Sequence, residues 1–130
     1  MDRKAYDRYL ALFNARDYDG VLAHYADEFV LEFAGYRFTT KAQVREFYAF
    51  LHQYVNEQIR VTAYVSDAHM VALEGTVRLE GLKDLTPERL AAQNYARLAP
   101  LRAGQVVEIP QYIHYHLHNG LIIRAGCALL

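Results

Sequence analysis

Residues 105–130 read QVVEIPQYIHYHLHNGLIIRAGCALL, and this stretch decides the fold class. From Gln105 to His118 the side chains alternate as they do along an extended chain, which places them on two opposite faces. Asn119-Gly120 supplies the two positive-φ residues of a tight hairpin turn, so Leu121 to Leu130 is expected to fold back as an antiparallel partner. Ile109, Ile113 and Leu117 make one face apolar and carry Gln111 and Tyr115 with them, while Glu108, Tyr112, His114, His116 and His118 share the other. Pro110 has no backbone N–H to give a ladder, which predicts a bulge or a sheet edge at that point. A bulge there would exchange the two faces.

Working back from this hairpin, the period of two recurs. Ile59, Val61, Ala63 and Val65 fall on one face with Arg60, Thr62 and Tyr64 on the other, and Ser66-Asp67-Ala68 turns the chain. Val71, Leu73, Gly75, Val77 and Leu79 then alternate with Glu74, Thr76, Arg78 and Glu80, which predicts a second antiparallel pair. Thr86 as N-cap and Pro87 at the first helical position predict a short helix through about Leu98, closed by Ala99-Pro100 and inserted between strands.

The first half of the chain is mainly helical. Ala5, Tyr6, Tyr9, Leu10, Leu12 and Phe13 recur at three- and four-residue spacing, which predicts an amphipathic helix over 3–16. Asp17 and Asp19 begin a shorter turn holding Val21, Leu22 and Tyr25, and Phe29 to Phe33 alternates as a strand that ends at Ala34-Gly35. Thr40 and Gln43 have capping-box spacing ahead of the stripe Val44, Phe47, Tyr48, Leu51 and Val55, which predicts a long helix to about Tyr54. Helices first and a long meander after describe an α+β domain with its helices on one face of a sheet, and a strongly curved sheet of this kind forms a cone.

Composition narrows the function classes. The chain has 130 residues, 53% of them hydrophobic and 22% charged, which suits one globular domain over 1–130. A net charge of -1 without runs of like charge lacks the footprint of a nucleic-acid or anionic-membrane binder. Cys127 is the single cysteine, so neither an internal disulfide nor a thiolate zinc cluster is available. No apolar run has the length of a membrane span and the first residues do not resemble a signal peptide, so the expectation is a cytoplasmic protein. Eleven Tyr and six His stand out against this ordinary background.

The order of elements, together with FNARDYD at 13–19, YADEFVLE at 25–32, KAQVREFY at 41–48, GQVVEIP at 104–110 and NGLI at 119–122, resembles the nuclear transport factor 2-like superfamily. The closest likeness is to its branch of SnoaL-like polyketide cyclases and ketosteroid isomerases. The resemblance spans nearly the whole chain. It implies a cone of bent, mixed sheet wrapped around N-terminal helices, in the manner of a cystatin-like α+β barrel, with an apolar pocket, frequent dimers and no obligatory cofactor. Fold alone leaves function open.

Carried over residue by residue, the resemblance is partial. Tyr9 falls where ketosteroid isomerases keep the tyrosine that donates to the substrate oxyanion. Their general base would follow Glu32, where this chain has Phe33, and their second oxyanion acid would fall near Ile113. The related limonene epoxide hydrolases use an Arg-x-Asp pair, which Arg78-Leu79-Glu80 resembles, but their last-strand acid would fall near Cys127.

Several residues carry chemistry on either of two readings. Tyr9 is a candidate oxyanion donor or a core tyrosine satisfied by backbone. His52, one turn after Tyr48 at the margin of its helix face, is a candidate acid or base, or a histidine favoured by the dipole at a helix C-terminus. His114, His116 and His118 can bind a transition metal, yet their phase puts them on the outer face, where an interface or solvent accounts for them and no metal is assigned. Glu74, Arg78 and Glu80 read as a solvated charged face, and Cys127 as a small buried hydrophobe. Phe33, Tyr48, Gln111, Ile113 and Tyr115 are the expected pocket lining.

Two functions follow. One is a cofactor-independent isomerase, cyclase or dehydratase acting on an apolar cyclic carbonyl compound, with Tyr9 as donor and His52 as acid or base. The other is a non-catalytic ligand-binding or dimeric interaction module of the same fold. Dimerisation is expected through the outer sheet face, with Tyr64, Tyr112 and the histidine row in the contact.

Overall fold

The computed structural model describes residues 1–129. Three helices come from the N-terminal half: α1 (Arg3–Asn14), α2 (Tyr18–Leu22) and α3 (Lys41–Tyr54). Each begins on a side-chain cap. Asp2 accepts from the Ala5 N–H, Asp17 from the Gly20 N–H, and Thr40 and Gln43 close the expected capping box. Such caps satisfy N–H groups that the first helical turn leaves without partners.

The strands are β1 (Tyr25–Phe33), β2 (Tyr36–Phe38), β3 (Val55–Ser66), β4 (Met70–Gly81), β5 (Val106–His118) and β6 (Leu121–Leu129), with α4 (Pro87–Ala92) between β4 and β5. The final strand is described as far as Leu129, and Leu130 lies outside the described residues. All six strands form one mixed sheet in the order β2-β1-β6-β5-β4-β3, with β1 parallel to β6 and the other neighbours antiparallel. The architecture is α+β, with the helices on one face of a sheet that is not closed.

One face of the sheet packs on the helices. Tyr6, Tyr9, Leu10 and Phe13 of α1 and Val44 and Phe47 of α3 are buried against Val71, Leu73, Ile113, Tyr115, Leu117 and Ile122. A second, smaller cluster of Val55, Leu85, Leu90 and Leu101 anchors α4. Asn119 and Gly120 take φ of 50° and 76°, as the hairpin signal requires.

Five local differences from the sequence reading have physical causes. Strand β1 begins at Tyr25 rather than Phe29 because its first residue already pairs with Ile122. Ala34 and Gly35, at φ 51° and 80°, turn the chain into β2, which the sequence reading did not contain. Helix α4 ends at Ala92 rather than Leu98. Asn94 enters the left-handed region at φ 64° and the Tyr95 N–H returns to the Leu90 carbonyl, an arrangement that stops a helix. At Pro110 the ladder to β4 runs on unbroken through Thr76, so no bulge forms there, and the described pairing with β6 ends one residue away at Gln111 and Leu129.

The fifth difference moves a residue between faces. Strand β3 carries one extra residue between Val61, opposite Gly75, and Ala63, opposite Glu74. Beyond such a bulge the alternation inverts. Val65 is therefore 67% exposed, and Tyr64 turns inward with its ring 5.4 Å from that of Tyr6 and its hydroxyl donating to the Met1 carbonyl at 2.7 Å. Tyr64 does not belong to the outer face.

Candidate functional site

Between the helices and the inner sheet face lies a cavity of about 690 Å³. Apolar walls come from α1, α3 and the strands, and the loop over 97–101 forms one rim. That loop is held from two sides. Leu85 and Leu101 exchange backbone hydrogen bonds at its base, and the Arg97 guanidinium donates to the Gly35 carbonyl at 2.8 Å.

Polar groups reach the cavity in a few places. Tyr6 and Tyr115 bring their hydroxyls to 3.2 Å, and Tyr9 and Tyr25 bring theirs to 3.3 Å. All four rings line the cavity. Burial raises these phenols above their ordinary value, Tyr25 to about 12 and Tyr9 and Tyr115 well above 10.0. They therefore stay protonated and act as donors or acceptors but not as bases. Tyr48 also lines the cavity and burial also pushes it up, and its hydroxyl makes no hydrogen bond to the described residues. The Tyr48 hydroxyl is the free donor of the site.

Two carboxylates line the cavity: Glu108, exposed on β5 although its phase predicted the outer face, and Glu57, which lines it from β3 with its side chain 13% exposed. Its Oε1 lies 2.9 Å from His52 Nε2, and His52 Nδ1 lies 2.7 Å from the Tyr18 hydroxyl. The His52 side chain is 3% exposed, stacked on Tyr48 with ring centroids 5.3 Å apart. Arg16 braces the same strand by donating to the Glu57 carbonyl at 3.1 Å and to Asn56 Oδ1 at 2.6 Å.

Phe33, Tyr48, Gln111, Ile113 and Tyr115 all border the cavity, as does Tyr9. His52 does not. It stands behind Glu57 with both ring nitrogens engaged, so the group that faces the cavity is the carboxylate. Sequence reading missed Glu57 because it began the strand at Ile59. Helix α3 passes into β3 at Tyr54 and Val55 with no loop, and extending the alternation back two steps puts Val55, Glu57 and Ile59 in one inward phase. A charged residue in such a phase is the signal that was there to read.

The remaining candidates face elsewhere. Glu32 pairs with Arg124 at 3.5 Å on the outer face, and Arg78 with Glu80 at 2.9 Å, each of these side chains well exposed. His114, His116 and His118 are exposed on the outer face. No group of three or more His, Cys, Asp or Glu side chains among the described residues is placed to hold a metal ion. Cys127 borders the cavity, and burial lifts its thiol from 9.0 to about 12, so it does not supply a thiolate. Among the described residues no helix is long and apolar enough to cross a membrane.

Known proteins share this architecture. A candidate polyketide cyclase of Silicibacter sp. TM1040 is 25% identical and superposes with a TM-score of 0.75 over 98% of this chain and 87% of its own. A SnoaL-like polyketide cyclase of Agrobacterium tumefaciens is 17% identical, with a TM-score of 0.71 over 96% and 87% of the two chains. An LEH-like epoxide hydrolase of M. tuberculosis is 16% identical, with a TM-score of 0.70 over 98% and 80%. At those identities the last two show the fold alone. No curated protein matches the sequence significantly. The pattern of the SnoaL-like domain matches residues 6–125, nearly all of the chain that builds the helices, the sheet and the cavity described above. By that match the chain belongs to the SnoaL-like family of the nuclear transport factor 2-like superfamily.

Proposed function

We propose that this protein is a cofactor-independent enzyme that moves a proton next to the carbonyl of an apolar cyclic compound, as an isomerase, cyclase or dehydratase does. The observation that carries the reading is Glu57, a carboxylate oriented by His52 on the wall of an apolar cavity that also holds the unpartnered Tyr48 hydroxyl. Glu57 takes the proton from carbon, the C–H electron pair moves into the ring, and the carbonyl oxygen gains charge. A phenol donates to that oxygen, from Tyr48 or from the Tyr9 and Tyr25 pair. The proton then returns at another carbon, or the enolate attacks a second carbonyl to close a ring. A positioned carboxylate and a preorganised donor suffice for such steps. The similarity to a candidate polyketide cyclase supports ring chemistry of this kind.

The alternative is a binder without turnover. It is favoured by the Tyr6 and Tyr115 and the Tyr9 and Tyr25 hydroxyls, which already satisfy one another. Exchange of the α-hydrogens of 2-tetralone in D2O, followed by proton NMR, separates the two. The enzyme reading expects exchange accelerated by the wild type and slowed about 10²–10⁴-fold in Glu57→Gln, the worth of a positioned base. It fails if 2-tetralone binds, is not exchanged, and Glu57→Gln behaves as the wild type.

A further inference from the structure

We infer that Arg16 is a positioning residue for the cavity base: its guanidinium fixes the stretch of β3 that carries Glu57, and arginine stands at this position despite a backbone geometry that favours glycine. The inference rests on the reading of Glu57 as the base.

Arg16 lies just past the end of α1. The Asp17 N–H returns to the Leu12 carbonyl and the Arg16 N–H to the Phe13 carbonyl, each at 3.0 Å, the hydrogen-bond pattern that ends a helix through one left-handed residue. Arg16 is that residue, at φ 65°. Glycine is its usual occupant, because a Cβ crowds the backbone in this conformation. A turn that had only to stop the helix has no use for an arginine. Residues held in such conformations cluster at functional sites, where the surrounding structure keeps them in place.

The use of the side chain is seen on β3. It is the last strand of the sheet, so one side of its ladder has no neighbouring strand. The end of α1 stands in for one over residues 56–59. Asn14 accepts from the Ile59 N–H at 3.2 Å and donates to the Ile59 carbonyl at 3.4 Å, and the Gln58 amide donates to the Asn14 carbonyl at 3.3 Å. These bonds hold β3 beyond the base. Arg16 holds it at the base, one guanidinium nitrogen donating to the Glu57 carbonyl at 3.1 Å and the other to Asn56 Oδ1 at 2.6 Å. The Gln58 amide donates to the same Asn56 oxygen at 3.2 Å, so the acceptor is itself fixed. A planar guanidinium spans the two acceptors at once, whereas an ammonium is a single point. The Glu57 side chain moves with this backbone, and with it the 2.9 Å contact to His52.

The test compares Arg16→Gly and Arg16→Lys in the full chain, by thermal melts and by exchange of 2-tetralone in D2O. Arg16→Gly removes the guanidinium and relieves the backbone. It is expected to melt near the wild type and to keep KM within about twofold while kcat falls about 10–10²-fold, the effect of a misplaced group. Arg16→Lys keeps the crowded conformation and one donor, so it is expected to melt lower than Arg16→Gly yet to turn over faster. A strut of the fold cannot give that crossing of stability and rate. Wild-type kcat in Arg16→Gly, rates that follow stability in both variants, or an Arg16→Gly protein that does not fold overturns the inference while leaving Glu57 as base. If the wild type exchanges nothing, the function above fails, and the positioning is decided by nitrogen NMR of labelled His52. A His52 Nε2 shift that moves in Arg16→Gly toward its value in Glu57→Gln supports it, and a shift identical to the wild type overturns it.

Discussion

Tyr6 and Tyr115 stand 109 positions apart in the chain, and their hydroxyls meet at 3.2 Å in the floor of the cavity. Neither phenol ionises easily there, because burial removes the water that would stabilise a phenolate. The same holds for Tyr9, Tyr25, Tyr48 and the Cys127 thiol.

This predicts an alkaline limit to stability. These groups have raised values in the folded state, so the unfolded chain binds fewer protons between about pH 9 and the folded values. The stability they contribute is complete below about pH 9 and is lost as pH rises toward 12, the value for Tyr25 and Cys127. Absorbance at 295 nm and circular dichroism, followed together from pH 8 to 12.5, should show most tyrosine ionisation arriving with loss of structure. Full ionisation of a still folded protein would contradict the burial.

Removing single hydroxyls should separate donors from scaffolding. Tyr48→Phe takes away a hydroxyl without a protein partner, so thermal stability should stay within about 0.5 kcal/mol while turnover falls about 10²–10³-fold. Tyr9→Phe also leaves Tyr25 without its partner and should cost about 1 kcal/mol in addition to any loss of rate. Urea melts and ketone exchange rates on the same samples give both quantities.

Gly81→Ala should disturb the cavity from a distance. A Cβ at Gly81 would come within 1.9 Å of the Arg102 carbonyl oxygen, and Gly81 bonds both Gln105 and Gly104 through its backbone. The base of the 85–105 insertion must shift to make room, at a cost of about 1–3 kcal/mol. Because residues 97–101 form the cavity rim, binding of 2-tetralone should weaken as well. A variant with parental stability and affinity would show that the insertion is not held at this point.

A homodimer through the outer sheet face is proposed on Tyr112, 41% exposed, with His114, His116 and His118 beside it, Tyr64 having turned inward. Sedimentation at micromolar concentration should give about 30 kDa, twice the chain's 15.0 kDa. A single species at the chain mass would remove the proposal.

Residues 105–122 show how far local pattern reaches. Alternation, the Asn119-Gly120 turn and the Thr40 and Gln43 capping box are written within a few neighbouring positions, and helix and strand periods follow from backbone geometry that needs no partner. The α+β class, the long helices and the inward phase of Ile113 and Tyr115 were therefore determined by the sequence itself. Tertiary structure alone decided the rest. One extra residue in β3 inverted the alternation and turned Tyr64, partly buried, inward against the core, since a bulge is favoured by the sheet it must fit and has no strong local signature. The direct passage from α3 to β3 brought Glu57 against His52 across five positions, a contact neither helical nor strand spacing predicts. Phenols from α1, β1 and β5 meet in pairs only because the curved sheet folds over the first helix, and long-range packing of this kind is invisible to periods of two or 3.6 residues.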